Sequence, residues 1–346
     1  QGMDIESYHA FGFSNTTKSD ISSIANGNPA VLTQFNSLAI GLTYDHFTKM
    51  EGILIDDISM ERKTNWYPNK IGIAFPFKNF HLGLGYHQKY FGTLLFEGIH
   101  ITTIENMDGI GTMDLKSESI ISSYSGMLAY TFLNIFSPED NLSIGFQLSL
   151  DRFYDDSNIA THDFTEDTDG MSWKTGANYH YNKTINFGIV FEKGVDIQGK
   201  TNYPGDSNYP DDFYIYYPDH YVAQLPDKLA IGFSYTGLEK LSFSASVTQV
   251  FWNKLEEGFK NSLIYAASAQ YQLPKQTEIS LGIYNANRYY KSSSMNDENN
   301  INKIGLGVKK SFDDFSISLG LNDSHLFSSS GMKFTHINLG VAYSLF

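Results

Sequence analysis

The sequence predicts an all-β protein, a transmembrane antiparallel β-barrel of about 14 strands with an N-terminal segment lying in its lumen. One observation is the alternation of apolar with small or polar residues in Ile337–Phe346, which ends on an aromatic residue. The same alternation recurs upstream in many segments of strand length. The connections between these segments alternate between tight turns and long polar stretches, as they do in membrane barrels.

The composition agrees with a barrel whose outer face alone is apolar. The chain has 346 residues, of which 41% are hydrophobic, and its net charge is −14. Lipid-facing side chains occupy every second position of a barrel strand, so the average hydropathy stays low. The 23 Tyr, 26 Phe and 3 Trp suit aromatic girdles at the membrane interfaces. A soluble β-sandwich also has period-two strands, but it lacks this regular alternation of turns and long loops.

Several other classes are disfavoured by composition. The chain has no cysteine, which excludes disulfides, thiolate metal sites and a lipidated N-terminal cysteine. Its acidic balance provides no basic patch for nucleic acid. The sequence starts without a basic and apolar leader, so either a signal peptide has already been removed, which we expect, or export is absent.

The fourteen predicted strands begin after an irregular N-terminal segment. We divide the chain into residues 1–35, a hatch or plug segment, and residues 36–346, the barrel. The predicted strands centre on residues 38–44, 71–77, 80–86, 124–132, 142–150, 171–179, 185–191, 229–235, 241–247, 263–271, 279–283, 304–308, 315–321 and 337–345. Their even number fits a single-chain bacterial barrel.

The connections predict which end of the barrel faces outward. Tight turns such as Lys78-Asn79 are expected on the periplasmic side. The predicted extracellular loops are Met50–Asn65, Gly92–Leu115, Asp155–Gly170, Thr201–His220, Asn253–Lys260, Lys291–Asn300 and Phe327–Gly331.

Glycine recurs at positions that the alternation turns toward the lumen. These glycines are Gly41, Gly72, Gly83, Gly85, Gly145, Gly176, Gly188, Gly232, Gly282, Gly305, Gly307, Gly320 and Gly340. Glycine weakens a strand unless another part of the molecule approaches closely. We therefore expect residues 1–35 to occupy the bore; the alternative is a periplasmic tail, with the glycines only relieving curvature.

The leading segment Ala25–Phe35, with its Asn28-Pro29-Ala30 core just before the first strand, resembles the hatch of the long-chain fatty acid transporter (FadL) family. Three further stretches are similar to that family: Trp66–Tyr86, Asp169–Gly199 and Leu225–Trp252. Together they cover about half of the chain in the family's order.

The resemblance implies a monomeric outer-membrane barrel that passively admits hydrophobic small molecules such as long-chain fatty acids. It assigns Asn28, Pro29 and Ala30 to the hatch and places a lateral opening beside a kinked strand, for which we select Gly83 and Gly85. The hatch is short for the family, and the loops are acidic and rich in asparagine. Relatives of this barrel type also serve as accessory barrels of type IX secretion, which is the alternative function, with a larger translocon or a cargo protein as partner.

Binding an amphipathic acid requires an apolar pocket and a cation for the carboxylate. The candidates among the inward-facing cations are Arg288, Lys174 and Lys89, and a lumenal salt bridge is the alternative for Arg288. Exposed aromatics in one acidic loop suggest a capture surface or a contact with a protein partner. These aromatics are Tyr209, Phe213, Tyr214, Tyr216 and Tyr217.

The remaining polar residues predict neither a metal site nor a catalytic one. His81 and His87 share one strand face but lack a third ligand, so we expect them to line the lumen. The acidic loops match no calcium-binding motif, and we expect no cofactor. The chain has no Gly-x-Ser-x-Gly or His-Glu-x-x-His motif, and we expect that it is not an enzyme.

Overall fold

The structure is a computed structural model of the 346-residue chain. It describes residues 3–4, 16–47, 67–101, 111–159, 162–199, 221–255, 260–286, 301–326 and 335–345. Everything said below about structure concerns these residues.

Fourteen antiparallel strands form the wall of a closed barrel. They are β2 (Leu38–Phe47), β3 (Tyr67–Phe77), β4 (Phe80–Ile101), β5 (Gly111–Leu133), β6 (Asn141–Ile159), β7 (His162–His180), β8 (Ile185–Lys193), β11 (Lys228–Tyr235), β12 (Leu241–Val250), β13 (Ser262–Leu273), β14 (Thr277–Ala286), β15 (Ile301–Ser311), β16 (Phe315–Asp323) and β17 (Thr335–Leu345). Three short strands are additional to these fourteen: β1 (Met3–Asp4), β9 (Asp196–Gly199) and β10 (Tyr221–Gln224).

Each wall strand pairs with its neighbours in chain order, and β17 pairs with β2 to close the ring. β8 pairs with β11, since β9 and β10 form a separate two-stranded sheet between them. The short β1 pairs with β4 at Tyr90 and Phe91. The predicted fourteen-strand antiparallel barrel is therefore confirmed.

The tight turns all join strand ends at the same end of the barrel. The two-residue turn Lys78-Asn79 joins β3 to β4, and Lys78 has a positive φ of 57°. Positive φ also occurs in the turn after β13, at Lys275 and Gln276. Turns of this kind reverse the chain direction between two paired strands over very few residues.

Two predicted extracellular loops are largely strand instead. β4 and β5 extend far past the predicted loop start and pair as far as Ile101 with Gly111. β6 and β7 likewise pair as far as Ile159 with His162. The prediction of loops at Gly92–Leu115 and Asp155–Gly170 was wrong because these extensions lack the apolar alternation that revealed the other strands. Polar residues dominate 155–159 and 162–170, and on β4 the apolar residues Leu94, Leu95 and Phe96 are consecutive rather than alternating. The other predicted long loops lie mainly outside the described residues.

The two faces of the wall differ as the alternation predicts. On β6, Ile144, Phe146, Leu148 and Leu150 are each almost half exposed on the outer face. Between them, the inward side chains Ser143, Gln147, Ser149 and Asp151 are buried, with exposed fractions of 2% or less. The outer surface is thus apolar and the inner surface polar or small.

The described part of the N-terminal segment, residues 16–35, lies inside the barrel, and we call it the hatch. It contains two short 3-10 helices, Ile21–Ser23 and Pro29–Gln34. The first packs against β2, β3, β4 and β17, and the second against β4, β5, β6 and β7. A buried cluster of Ile21, Ile24, Ala25 and Leu32 joins the hatch to the wall.

The sheet of β9 and β10, which we call the ribbon, also turns inward. Val195 and Ile197 are fully buried and pack with Ile121 of β5 and Phe153 of β6. We call these four residues the apolar cluster. A helix able to span a membrane is not found in the part of the chain that the structure describes.

Candidate functional site

The candidate site is the inner surface where the hatch meets the wall. Eight glycines make this contact possible, since a Cβ atom on any of them would lie within about 3 Å of hatch atoms. They are Gly41, Gly72, Gly83, Gly85, Gly145, Gly176, Gly188 and Gly232. At Gly145 a Cβ atom would lie 2.4 Å from the backbone nitrogen of Ala30, and at Gly72 it would lie 1.8 Å from the carbonyl oxygen of Ile21.

These contacts account for eight of the glycines that the sequence places toward the lumen. Gly340 differs, because a Cβ atom there would meet the hydroxyl of Ser318 on the neighbouring strand rather than the hatch. Glycine is required at these eight positions because the hatch lies too close to the wall backbone for a side chain.

The Asn28-Pro29-Ala30 segment lies at the start of the second 3-10 helix. Asn28 caps this helix by accepting a hydrogen bond from the Ala30 amide at 3.0 Å, and Pro29 fills the first helical position. The Asn28 side-chain amide donates to the carbonyl oxygens of Thr16 at 2.9 Å and Ala177 at 3.0 Å. One side chain therefore closes the hatch on itself and attaches it to β7.

Gly83 and Gly85 lie on β4 opposite the hatch. A Cβ atom at Gly83 would meet Leu32 and Met127, and one at Gly85 would meet Ala25. Both glycines are paired with β3 on one side and β5 on the other without a register shift. The wall is closed at these glycines in this conformation, and their part in a lateral opening stays a prediction.

Buried charges join four strands just above the hatch, and we call Lys89, Asp151, Lys174 and Glu192 the charge cluster. The Lys89 ammonium lies 3.0 Å from Asp151 and 3.3 Å from Glu192, and it donates to Ser172 at 2.6 Å. Glu192 also lies 3.3 Å from the ammonium of Lys174. A β-bulge between Gln88 and Tyr90 turns Lys89 toward the lumen.

Lys174 also holds the hatch directly. Its ammonium donates to the carbonyl oxygens of Ala25 at 3.2 Å and Asn26 at 3.1 Å. Gln147 donates to the same Ala25 oxygen at 2.9 Å. An ammonium has three protons, so Lys89 and Lys174 each direct their full donor set at protein partners.

Further contacts attach the hatch around the ring. The hydroxyls of Ser22 and Thr43 lie 2.8 Å apart, as do those of Thr33 and Ser143, which ties the hatch to β2 and β6. The carboxylate of Asp20 accepts a hydrogen bond from Lys309 of β15 at 3.1 Å.

The ribbon is fixed where it leaves the wall. Asp227 accepts hydrogen bonds from the ammonium groups of Lys193 and Lys254 and from the Gly194 amide, all at about 3 Å. Burial of this carboxylate opposes its ionisation, but these hydrogen bonds outweigh that effect and lower the pKa of Asp227 below its ordinary value. A Cβ atom at Gly194 would lie 1.9 Å from the carbonyl oxygen of Leu225, so only glycine fits at the bend.

Several site predictions fall elsewhere. Arg288 and the proposed capture residues Tyr209, Phe213, Tyr214, Tyr216 and Tyr217 lie outside the described residues. Sequence reasoning missed Asp151, Gln147 and the pairing role of Glu192. These residues could have been found from the sequence, because each is a polar or charged side chain at a lumen-facing position of a strand whose other inward residues are mostly small.

Comparison with known proteins gives a fold likeness. No protein-family model matches the chain, and no curated protein matches it in sequence. The toluene transporter TodX of Pseudomonas putida is similar in structure, with a TM-score of 0.66, 14% identity and 99% of each chain covered. The toluene transporter TbuX of Ralstonia pickettii has a TM-score of 0.67 with 13% identity and 96% of each chain covered.

A Pseudomonas aeruginosa FadL homologue is similar over 99% of this chain and 98% of its own, with a TM-score of 0.63 and 12% identity. These likenesses extend over whole chains, so they include the barrel and the segment before its first strand. This chain therefore has the fold of the FadL-type barrels.

Proposed function

We propose that this protein is an outer-membrane channel that passively admits hydrophobic small molecules, with long-chain fatty acids and aromatic hydrocarbons as the substrate classes to test. The observation that carries the proposal is a hatch held inside a closed barrel by contacts with its inner surface. The full-length likeness to toluene transporters and a FadL homologue supports the same function.

The outer surface supports the membrane location. Large apolar side chains stand exposed on every wall strand, for example Leu84 at 55%, Ile231 at 57% and Leu319 at 53%. An exposed apolar surface of this extent is stable when lipid covers it. We expect outer-membrane lipid around the barrel, a single barrel per functional unit and a signal peptide removed on export.

The channel needs a route past the hatch. We propose that residues 1–35 act as the hatch unit, with Asn28, Pro29 and Ala30 ordering it, and residues 36–346 as the barrel. Gly83 and Gly85 remain the candidates for a lateral opening, and the aromatic loop with Arg288 for ligand capture. Lys174 donates to hatch carbonyl oxygens, and Lys89 pairs with Asp151 and Glu192 beside it, so in this conformation both lysines serve internal contacts. Their part in binding a ligand carboxylate stays a prediction.

Reversible cross-links test whether the hatch must move. The chain has no cysteine, so introduced pairs are unambiguous. Ser22→Cys with Thr43→Cys, and Thr33→Cys with Ser143→Cys, replace hydroxyl pairs 2.8 Å apart and tether the hatch to β2 and to β6. In cells that lack such channels, we expect uptake of radiolabelled toluene or oleate by the unmodified protein. Oxidation of either pair is expected to stop this uptake, and reduction to restore it.

A matched pair within the wall controls for oxidation and for barrel rigidity. Ser244→Cys with Ser268→Cys joins β12 to β13, where the hydroxyls are 2.7 Å apart, and it should leave uptake unchanged. No uptake of either compound by the unmodified protein contradicts the channel. Uptake that survives both hatch cross-links contradicts a moving hatch.

The secretion alternative predicts a different purified species. Native mass spectrometry of protein extracted in mild detergent distinguishes them. A single barrel carrying a small apolar ligand agrees with the channel, whereas a stable complex with a large protein and no such ligand agrees with a secretion role.

A further inference from the structure

A row of three buried polar residues crosses the wall above the hatch. His87 of β4 lies opposite Ser123 of β5, and Ser123 lies opposite Asp151 of β6. Their exposed fractions are 2%, 0% and 0%. Side chains opposite each other on one face of a sheet lie within contact distance, so these three form a continuous polar strip.

The strip has hydrogen-bonding capacity that the protein does not use. Both ring nitrogens of His87, the hydroxyl of Ser123 and one carboxylate oxygen of Asp151 have no protein partner. Buried polar atoms nearly always have a partner in folded proteins. A buried row of donors and acceptors therefore indicates a place where another hydrogen-bonding group binds.

The charges beside the strip define what that group can be. Lys89 and Lys174 direct all three of their protons at protein oxygens, so neither has a proton left for a ligand carboxylate. The unpartnered Asp151 oxygen is an acceptor that repels an anion. A neutral group that both donates and accepts matches the strip.

Apolar side chains lie directly beside the polar strip. Ile121 is two residues from Ser123 along β5, and Phe153 is two residues from Asp151 along β6, so both share its face. Val195 and Ile197 complete the apolar cluster from the ribbon. The ribbon pairs apart from the wall sheet, so these two side chains contribute to the apolar cluster without belonging to a barrel ladder.

We propose that His87, Ser123 and Asp151 bind the hydroxyl end of an apolar alcohol or phenol, whose apolar part lies in the apolar cluster. The hydroxyl donates to the free Asp151 oxygen and accepts from the ring of His87 or the hydroxyl of Ser123. This inference rests on the proposed channel function and adds neutral compounds with one hydroxyl to the substrate classes of that channel.

Three ligands that differ in one group test the inference by calorimetry, with the protein in lipid nanodiscs and empty nanodiscs subtracted. Toluene, p-cresol and 4-methylbenzoate at pH 7.5 carry a hydrogen, a neutral hydroxyl and a carboxylate at the same ring position. We expect p-cresol to bind at least about fivefold more tightly than toluene, as one or two neutral hydrogen bonds provide. We expect 4-methylbenzoate to bind more weakly than p-cresol.

Variants locate the preference. Ser123→Ala and His87→Phe should each reduce the affinity ratio of p-cresol to toluene toward one while leaving toluene binding in place. Ser246 is a lumen-facing serine of β12 that pairs with Gly232 on the other side of the barrel, and Ser246→Ala should leave the affinity ratio of p-cresol to toluene unchanged. Ser123→Ala removes one oxygen only, so the test holds even where His87→Phe fails to fold.

The outcomes separate this inference from the channel proposal. Equal binding of toluene and p-cresol, or a p-cresol preference that survives both variants, overturns the hydroxyl site while leaving the channel standing, and the strip then holds water. Tightest binding of 4-methylbenzoate overturns it in favour of an acid site. Absence of binding by all three ligands also overturns it, and the uptake and cross-link measurements then judge the channel on their own.

Discussion

β6 and β12 are both wall strands paired on two sides, yet their inner faces differ. On β6, every inward residue from Ser143 to Phe153 is buried. On β12, the inward residues from Ser242 to Thr248 are only half-buried. The hatch and the ribbon cause the difference, because the second hatch helix packs on β6 and Phe153 of β6 packs with Val195 and Ile197. The alternation of residues thus predicts the wall strands. The type of inward residue indicates whether another part of the chain packs against the strand.

The largest effect on stability is expected from removing the Glu192 carboxylate from the charge cluster. Glu192→Gln removes the carboxylate that pairs with both Lys89 and Lys174, leaving two buried ammonium groups with too little compensation. Removing one partner of a buried ion pair costs about 3–5 kcal/mol. We expect a loss of this size in the free energy of unfolding, measured by urea denaturation in lipid vesicles.

An ion pair on the outer surface is the control for this charge change. Asp167→Asn removes the bidentate partner of Arg152, where the side chains are 42% and 57% exposed. Exposed pairs contribute under about 1 kcal/mol. Equal losses for the two variants would contradict the difference between the inner and outer faces.

The next effect concerns the glycines that face the hatch. Gly145→Ala places a Cβ atom 2.4 Å from the backbone of Pro29 and Ala30, and neither backbone can withdraw without moving the hatch. Overpacking of this kind costs about 1–3 kcal/mol. We expect faster proteolysis of the hatch segment and higher single-channel conductance in planar bilayers.

Gly126 provides the matched substitution on β5. A Cβ atom there has nothing within 4 Å, so Gly126→Ala should leave both measurements near those of the unmodified protein. A hatch that stays protected in Gly145→Ala would show that its contact with β6 is looser than the structure indicates.

Asn28 separates two contributions to hatch order. Asn28→Ala removes the helix cap and the hydrogen bonds to Thr16 and Ala177, with an expected loss of about 1–2 kcal/mol in hatch stability. Asn28→Asp keeps the cap acceptor and loses the donors. Hydrogen exchange of the Val31 amide, which bonds to the Asn28 carbonyl, measures both. If exchange in Asn28→Asp matches the unmodified protein, attachment to β7 contributes little.

The wall was predictable because its signal is local. Apolar residues at every second position, as in Ile185 to Phe191, place each strand and its face without knowledge of partners. The inward glycines predicted a hatch because glycine allows the close approach of another backbone, whereas the alternative, relief of curvature, needs nothing inside the barrel. The seat of Gly145 against Pro29 bears out that reasoning.

The charge cluster could not be predicted because its signal is not local. Lys89 and Asp151 are 62 residues apart, and a bulge at Lys89 shifts the register that would have related them. The extensions of β5, β6 and β7 were missed because their residues, for example Glu118 opposite Asp156, are largely polar and carry no apolar alternation. Pairing of distant strands must be known before such residues can be assigned.

The smallest effect is expected in the turn that joins β5 to β6. Burial of the Asp140 carboxylate opposes its ionisation, but hydrogen bonds from the Tyr179 hydroxyl and the amides of Phe136 and Ser137 outweigh that effect and lower the pKa of Asp140. A lowered pKa means that the ionised group stabilises the turn above its unfolded pKa of about 4. This stabilisation is lost as the pH falls through the lower folded value. Thermal unfolding of the unmodified protein and Asp140→Asn should therefore differ slightly at pH 6 and converge toward pH 2, whereas a constant difference would assign the effect of Asp140 to shape rather than charge.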